Sequence, residues 1–335
     1  MNTGTADPWV SRSVLITGVN GFLGSHIAEA LVRRGAHVVG LLRDRPAESY
    51  FEWVGLHERI SVAEGDLADV ELLERALNEY EVDTVVHVAA QAIIAAANRA
   101  PLSTFESNIR GTYMLLEACR RVGSVERIVV ASSDKAYGWQ EELPYTEEAP
   151  LAGIYPYDAS KACADIIARS YHATYGLPVA VTRCANLYGP GDLNYSRIVP
   201  GTVRAVLEGE RPIIRSDGTP ERDYLYVADA VAAYLALAEA VTDEHVAGGA
   251  FNFGTGRCVS VLELVRMIIE TCGRTDLQPE VLGTAGHAEI DRQYLSSEKA
   301  KQVLGWEPAT PLADGLQRTC DWYREYLQSR KSGLP

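Results

Sequence analysis

Tyr157 and Lys161 stand four residues apart in Tyr157-Asp158-Ala159-Ser160-Lys161, just behind Pro156, a residue suited to open a helix. On a helix that spacing sets both side chains on one face, about 6 Å apart along the axis. A tyrosine of ordinary pKa, about 10, is a poor base, and an ammonium beside it stabilises the phenolate. Such a pair takes a proton from a hydroxyl group. Tyrosine and lysine at this spacing are common on solvated helices, so the pair gains meaning from Ser132 and Ser133, one strand-helix unit earlier. These lead into Ser133-Asp134-Lys135-Ala136-Tyr137-Gly138. In a loop, Asp134 and Lys135 would make a plain exposed ion pair. At the carboxyl end of a strand, where open α/β sheets bind their ligands, two adjacent charged groups read as functional instead.

A second cluster lies near the start. The strand-like run Val14 to Thr17 passes into Gly18-Val19-Asn20-Gly21-Phe22-Leu23-Gly24, followed by a helical stretch from Ser25 to Arg34. Glycines permit the tight turn and let backbone N–H groups approach a pyrophosphate at the positive end of the helix. The strand before and the helix after give the glycine pattern its weight.

Positioning these groups requires a sheet. Short β-branched runs recur at Val14 to Thr17, Val38 to Leu42, Ile60 to Ala63, Thr84 to Val88, Arg127 to Ala131 and Val179 to Arg183, with helical periodicity between them. This alternation predicts an α/β protein with a doubly wound parallel sheet, the Rossmann fold. Beyond Arg183 the chain loosens into loops punctuated by proline and glycine, with helices predicted at about 200–208 and 261–272 and a strand at 250–253. We expect a dinucleotide-binding domain of residues 13–183 plus about 225–257, and a smaller substrate-binding lobe of about 184–224 plus 258–330. That lobe would close over a ligand at the strand ends. No internal repeat is visible.

The G-x-x-G-x-x-G spacing resembles the extended branch of the short-chain dehydrogenase/reductase superfamily, the nucleotide-sugar epimerases and dehydratases. The resemblance continues through Gly65-Asp66-Leu67, His87-Val88-Ala89-Ala90-Gln91, Asn108-Ile109-Arg110-Gly111-Thr112, Arg183-Cys184-Ala185-Asn186-Leu187-Tyr188-Gly189-Pro190, Arg222-Asp223-Tyr224 and Leu304-Gly305-Trp306. It implies a tightly bound, recycled NAD or NADP. The cofactor would be held by Gly18, Asn20, Gly21, Phe22, Leu23, Gly24, Arg43, Asp66, Leu67, Ala89, Ala90, Gln91, Asn108, Ser132, Tyr157 and Lys161. Leu42 falls where NAD enzymes of the family carry an acid; Arg43 leans toward NADP and Asp44 beside it pulls back. By the same resemblance Ser133 completes a triad with Tyr157 and Lys161 on a sugar 4-hydroxyl, Arg222 and Asn186 meet the diphosphate, and Ile214 lies beside the base. Arg197 and Arg292 are weaker substrate candidates. His87 reads as a satisfied core histidine. The helices around 102–121 and 156–175 would pair across a homodimer.

The Asp134-Lys135 version of the catalytic loop resembles CDP-glucose 4,6-dehydratase and the inverting UDP-N-acetylglucosamine dehydratases. Epimerases of the superfamily have small or uncharged residues there. The leading expectation is an NDP-hexose 4,6-dehydratase. A C4 epimerase is the alternative within the superfamily, and a dinucleotide-sensing regulator the alternative outside catalysis. Such sensors commonly lose the tyrosine or the lysine, which are both present here.

Composition narrows the partners. The 335 residues are 47% hydrophobic and 23% charged, as in ordinary globular proteins, and the formal net charge of -14 disfavours nucleic acid or an anionic membrane. A nucleotide-activated hexose must therefore meet a local basic pocket. No run approaches the roughly 18 apolar residues of a membrane span, and residues 1–12 have no signal-like core, so a cytoplasmic location is expected. Six scattered cysteines lack metal-ligand spacing, predicting reduced, mostly buried thiols and no metal.

Overall fold

A computed structural model describes residues 7–46, 48–284 and 290–332. Six strands, β1 (Ser13–Thr17), β2 (His37–Leu42), β3 (Ser61–Glu64), β4 (Thr84–His87), β5 (Arg127–Ala131) and β6 (Val179–Cys184), form one sheet with a seventh, Ala250–Phe253. The spatial order is Ala250–Phe253, β6, β5, β4, β1, β2, β3, and every neighbouring pair is parallel. Strands β2 and β3 run to one side of β1, and β4 returns to its other side. A crevice therefore opens between the carboxyl ends of β1 and β4, where such sheets bind ligands.

Side-chain alternation explains why these runs are strands rather than helices. Val14 and Ile16 of β1 enter one core with Val129 and Ala131 of β5, while Leu15 faces the opposite core with Ile128 and Val130. A sheet buried on both faces demands such near-continuous apolar sequence. Helices Phe22–Arg33 and Val227–Ala240 contribute to the first core, Val70–Glu79 and Gly111–Val122 to the second.

A third core joins Val199 and Val203 of helix Ile198–Glu208, Leu264 and Ile268 of helix Val261–Thr271, and Leu316 and Tyr323 of helix Leu312–Ser332. Between these helices the chain returns to the sheet: Leu295, Ala300 and Trp306 pack in the first core, and the Trp306 indole donates to the Asp229 carbonyl at 3.1 Å.

The continuous helix expected over 102–121 is instead interrupted. Pro101–Phe105 and Gly111–Val122 are α-helical, and Glu106–Arg110 between them is a π turn. The wider turn points Asn108 inward, where its Oδ1 accepts from Gln91 N at 2.7 Å and its Nδ2 donates to Ser160 Oγ at 2.8 Å. No described helix is long and apolar enough to cross a membrane. Cys119, Cys184, Cys272 and Cys320 are buried free thiols, and Cys163 and Cys258 are half-buried.

Candidate active site

The glycine loop is shaped by close approach. Gly18 has φ +69°, and a Cβ there would lie 2.8 Å from the Ala89 Cα; a Cβ on Gly24 would lie 2.1 Å from the Gly18 carbonyl oxygen. Only glycine lets the first helix pack onto the loop, and this helix begins at Gly21 without a side-chain cap. Asn20 Nδ2 donates to the Asp44 carbonyl at 2.6 Å, tying the loop to the end of β2. Asp66 is exposed past the end of β3, its Oδ1 accepting from Ala68 N, with half-buried Leu67 beside it. Ala89, Ala90 and Gln91 are half-buried past the end of β4. These residues lie as a backbone cradle across the ends of β1 to β4, where sheets of this kind hold a dinucleotide.

Beneath the cradle runs a buried polar chain. Thr17 Oγ1 meets His87 Nδ1 at 2.7 Å, and His87 Nε2 meets Thr112 Oγ1 at 3.0 Å. Burial, helped by the Lys161 charge, drives the His87 pKa down to about 3, so the ring stays neutral. His87 is the satisfied core histidine that the sequence suggested.

Helix Pro156–Tyr175 brings Tyr157 and Lys161 to the carboxyl end of β5. Lys161 is 5% exposed, and its Nζ donates to the Ala131 carbonyl at 2.7 Å, while Ser132 Oγ donates to the Lys161 carbonyl at 3.1 Å. Burial lowers the Lys161 pKa to about 8, which leaves the amine mostly charged at neutral pH. The phenol departs from expectation. Burial pushes Tyr157 up to about 12, a hydrogen bond with Ser133 and the Arg197 charge working the other way. Desolvation outweighs the nearby cation, and the Lys161 ammonium is engaged by the Ala131 carbonyl. The helix is pinned from behind by Arg183 of β6, whose guanidinium pairs with Asp165 at 2.8 and 3.0 Å, both residues essentially inaccessible. Removing one member of such a pair costs about 3–5 kcal/mol.

Ser133 caps the short 3-10 turn Asp134–Tyr137, its Oγ accepting from Lys135 N at 3.2 Å and donating to Asp134 Oδ1 at 3.0 Å. Asp134 and Lys135 pair at 2.8 Å with side chains 5% and 17% exposed, so this is a sequestered pair and not a solvated one. Two neighbours were not singled out from sequence. Gln293, 1% exposed, accepts from Lys135 Nζ at 2.7 Å and donates to the Asp134 carbonyl at 3.0 Å. Asp158, next to Tyr157, is 8% exposed; burial raises its pKa to about 6, with Lys135 opposing and Asp134 adding to the rise. A carboxyl whose folded pKa exceeds its unfolded value costs stability as pH rises from about 4 to 6. Asp158→Asn is expected to stabilise the protein at pH 8 by about 2 kcal/mol, read as a higher urea midpoint, with the gain shrinking toward pH 4.5. An unchanged midpoint at pH 8 would contradict the burial argument.

The substrate candidates are spread around the mouth of the site. Arg222 is half-buried on the strand Glu221–Arg222, which pairs with Arg292–Gln293, and Asn186 Nδ2 donates to the Asp223 carbonyl at 3.1 Å. Arg197 pairs with Asp192 at 3.0 Å, and its charge reaches Tyr157. Arg292 is engaged by Glu221 at 2.7 Å with its side chain 54% exposed. Ile214 requires correction: its side chain is 1% exposed inside the third core, because alternation on Ile213–Ile214 turns Ile213 outward instead. The residue facing out at that strand is Ile213.

The chain is similar to several characterised proteins. A dTDP-glucose 4,6-dehydratase of Streptomyces antibioticus is 34% identical, over 93% of this chain and 92% of that protein. A CDP-glucose 4,6-dehydratase of Salmonella typhimurium is 28% identical, over 96% and 92%. A trifunctional Arabidopsis thaliana protein, whose first named activity is UDP-glucose 4,6-dehydratase, is 30% identical over 94% of this chain, which spans 47% of its length. Among solved structures, a Thermotoga maritima UDP-glucose 4-epimerase with UDP-glucose superposes with TM-score 0.85 at 31% identity, covering 94% of this chain and 99% of that one. A dTDP-glucose 4,6-dehydratase from Streptomyces venezuelae with NAD and TYD bound gives 0.84 at 31%, covering 93% and 97%. The GDP-mannose 4,6 dehydratase family model matches residues 15–319. With the sheet order, the glycine cradle and the Tyr157–Lys161 helix already in agreement, the chain belongs to that family, within the extended short-chain dehydrogenase/reductase superfamily.

Proposed function

We propose that the protein is an NDP-hexose 4,6-dehydratase that converts a nucleotide-activated glucose to the 4-keto-6-deoxy sugar. The observation that carries this reading is the sequestered Asp134–Lys135 pair directly behind Ser133 and beside Tyr157. A C4 epimerase needs only a base at the 4-hydroxyl, whereas elimination across C5 and C6 also needs a base at C5 and an acid at the 6-hydroxyl.

When bound, the dinucleotide supplies a hydride acceptor toward C4 and a hydride donor toward C6. Tyr157 Oη takes the 4-hydroxyl proton, and Ser133 Oγ steadies the same oxygen. Oxidation makes the C5 hydrogen α to a carbonyl and therefore acidic. Lys135 Nζ removes it while Asp134 protonates the departing 6-hydroxyl. The observed ion pair is one proton shift away from this state: movement along the 2.8 Å hydrogen bond gives a neutral amine and a carboxylic acid, the base and the acid required. In water that shift costs about 9 kcal/mol, the gap between ordinary lysine and aspartate pKa values.

Arg222 and Asn186 would grip the diphosphate, with Arg197 and Arg292 adding charge. We further propose that the loop-rich lobe of about 184–224 and 258–330 closes over the sugar, and that the helices around 102–121 and 156–175 pair two chains. Exposed Leu102, Phe105 and Ile166 on those helices support the pairing. For the cofactor we propose NAD. The lean toward NADP rested on Arg43, whose guanidinium is paired with Asp44 at 2.7 Å on an exposed surface, and the Streptomyces venezuelae neighbour carries NAD. Arg43→Ala is expected to change NAD affinity by less than about fivefold, measured by fluorescence titration of cofactor-stripped protein. A much larger loss would place the guanidinium on the adenosine ribose.

The nucleotide follows from the Asp-Lys resemblance: CDP-glucose is the proposed substrate, with dTDP- and UDP-glucose as competitors. Incubation with CDP-, dTDP-, UDP- and GDP-glucose and mass spectrometry of the products tests both points. Loss of water supports dehydration, and its ranking assigns the nucleotide. Unchanged mass with inverted C4 would overturn dehydration in favour of epimerisation.

A further inference from the structure

Gln293 is separated from Lys135 by 158 residues of sequence, yet it makes two hydrogen bonds at the proposed acid–base pair. Its amide has only one workable orientation there. Lys135 is a pure donor and needs the Oε1 acceptor at 2.7 Å, and the Asp134 carbonyl is a pure acceptor and needs the Nε2 donor at 3.0 Å. The residue sits on the two-residue strand Arg292–Gln293, which turns Gln293 inward and leaves Arg292 exposed, and in register Gln293 lies opposite Arg222. One short strand thus joins the diphosphate arginines to the C5 base.

A neutral amide suits this place. Two carboxylates already face Lys135: Asp134 beside it, and Asp158 from helix Pro156–Tyr175. A third would hold the amine protonated and useless as a base, while an apolar side chain would take the amide acceptor from the ammonium and the Nε2 donor from the Asp134 carbonyl. We propose that Gln293 is a positioning residue for the dehydration half of the reaction: it aims the Lys135 amine at C5 without adding charge, and it plays no part in C4 oxidation. The inference rests on the dehydratase reading above.

Two variants of the cofactor-loaded enzyme test it. Gln293→Leu is expected to leave the single-turnover rate of cofactor reduction within about threefold of the parent, while C5 deuterium incorporation and water loss each fall at least tenfold and the 4-keto hexose accumulates. Gln293→Glu keeps the shape and adds the charge; it is expected to recover turnover at high pH with the acidic limb of kcat displaced upward by about one pH unit. A parallel fall in oxidation and exchange in Gln293→Leu, or no change in either, overturns the proposal.

A readout independent of turnover separates this failure from failure of the parent reading. The chain has five lysines, at 135, 161, 299, 301 and 331, so lysine labelled with carbon-13 at Cε gives a sparse spectrum in which loss of a signal in Lys135→Met assigns Lys135. The midpoint of that signal should rise in Gln293→Glu, and the signal should broaden in Gln293→Leu. Should the parent enzyme remove no water from any nucleotide hexose while the Lys135 signal still responds, the dehydratase reading fails and the Gln293 contact stands. An unresponsive signal overturns the contact.

Discussion

Tyr157→Phe is expected to slow oxidation of the sugar 4-hydroxyl by about 10²–10⁴-fold, the range for a positioned general base, with little loss of stability. The ring keeps its packing, and the lost oxygen leaves only Ser133 short of a partner, which its bond to Asp134 Oδ1 offsets. Stopped-flow absorbance of the reduced cofactor under single-turnover conditions isolates this step from later ones. Because burial holds the phenol at about 12 in the protein alone, the parent enzyme should oxidise faster as pH rises above neutrality, and the variant should lose that slope. A variant that oxidises at the parent rate would remove Tyr157 from the chemistry and with it the enzymatic assignment.

Lys135→Met should give the second large effect. Cofactor reduction is expected to persist within about tenfold, whereas C5 exchange with deuterated solvent and water loss fall by at least about 10³-fold. Methionine matches the stem of lysine and lacks the amine, so the sugar pocket keeps its shape. Asp134 is left buried without its ammonium, which lowers stability by about 3–5 kcal/mol if it stays ionised and by less if it neutralises. Comparing thermal midpoints near pH 5 and pH 8 separates those cases. Unimpaired exchange would rule out Lys135 as the base.

Much of this architecture was legible in the chain. Each of the six predicted strands appears within a residue or two of its predicted bounds, because a parallel sheet buried on both faces has little freedom in composition. Helix 156–175 has the predicted bounds, opened by Pro156 and closed by Gly176 in a left-handed conformation. What escaped the sequence depended on contacts between distant segments. Gln293 lies on a strand of two residues amid irregular chain, too short to show a period, and nothing local marks it as a partner of Lys135. The π turn at 106–110 follows from the partners of Asn108 rather than from propensity. Ile214 was placed beside the base by resemblance alone, and a one-residue change of face sends it into the core. Asp158 was passed over inside a motif read for its tyrosine and lysine. One signal was available and unused: of 31 basic residues only five are lysine, and two of those five, buried Lys161 and half-buried Lys135, stand at the site. In a chain that favours arginine, retained amines mark places where a removable proton matters.

Ser133, Asp134 and Lys135 are consecutive on one tight turn, so the peptide bonds themselves fix their mutual spacing. On the proposed dehydratase reading, the fate of the ketone is therefore set by two adjacent codons, with the distant Gln293 holding one of their side chains in place. On that same reading, a neighbouring lineage with the same sheet and the same helix but small side chains at those two places would lack the acid and the base that expel water, and its sugar ring could turn over before hydride returns.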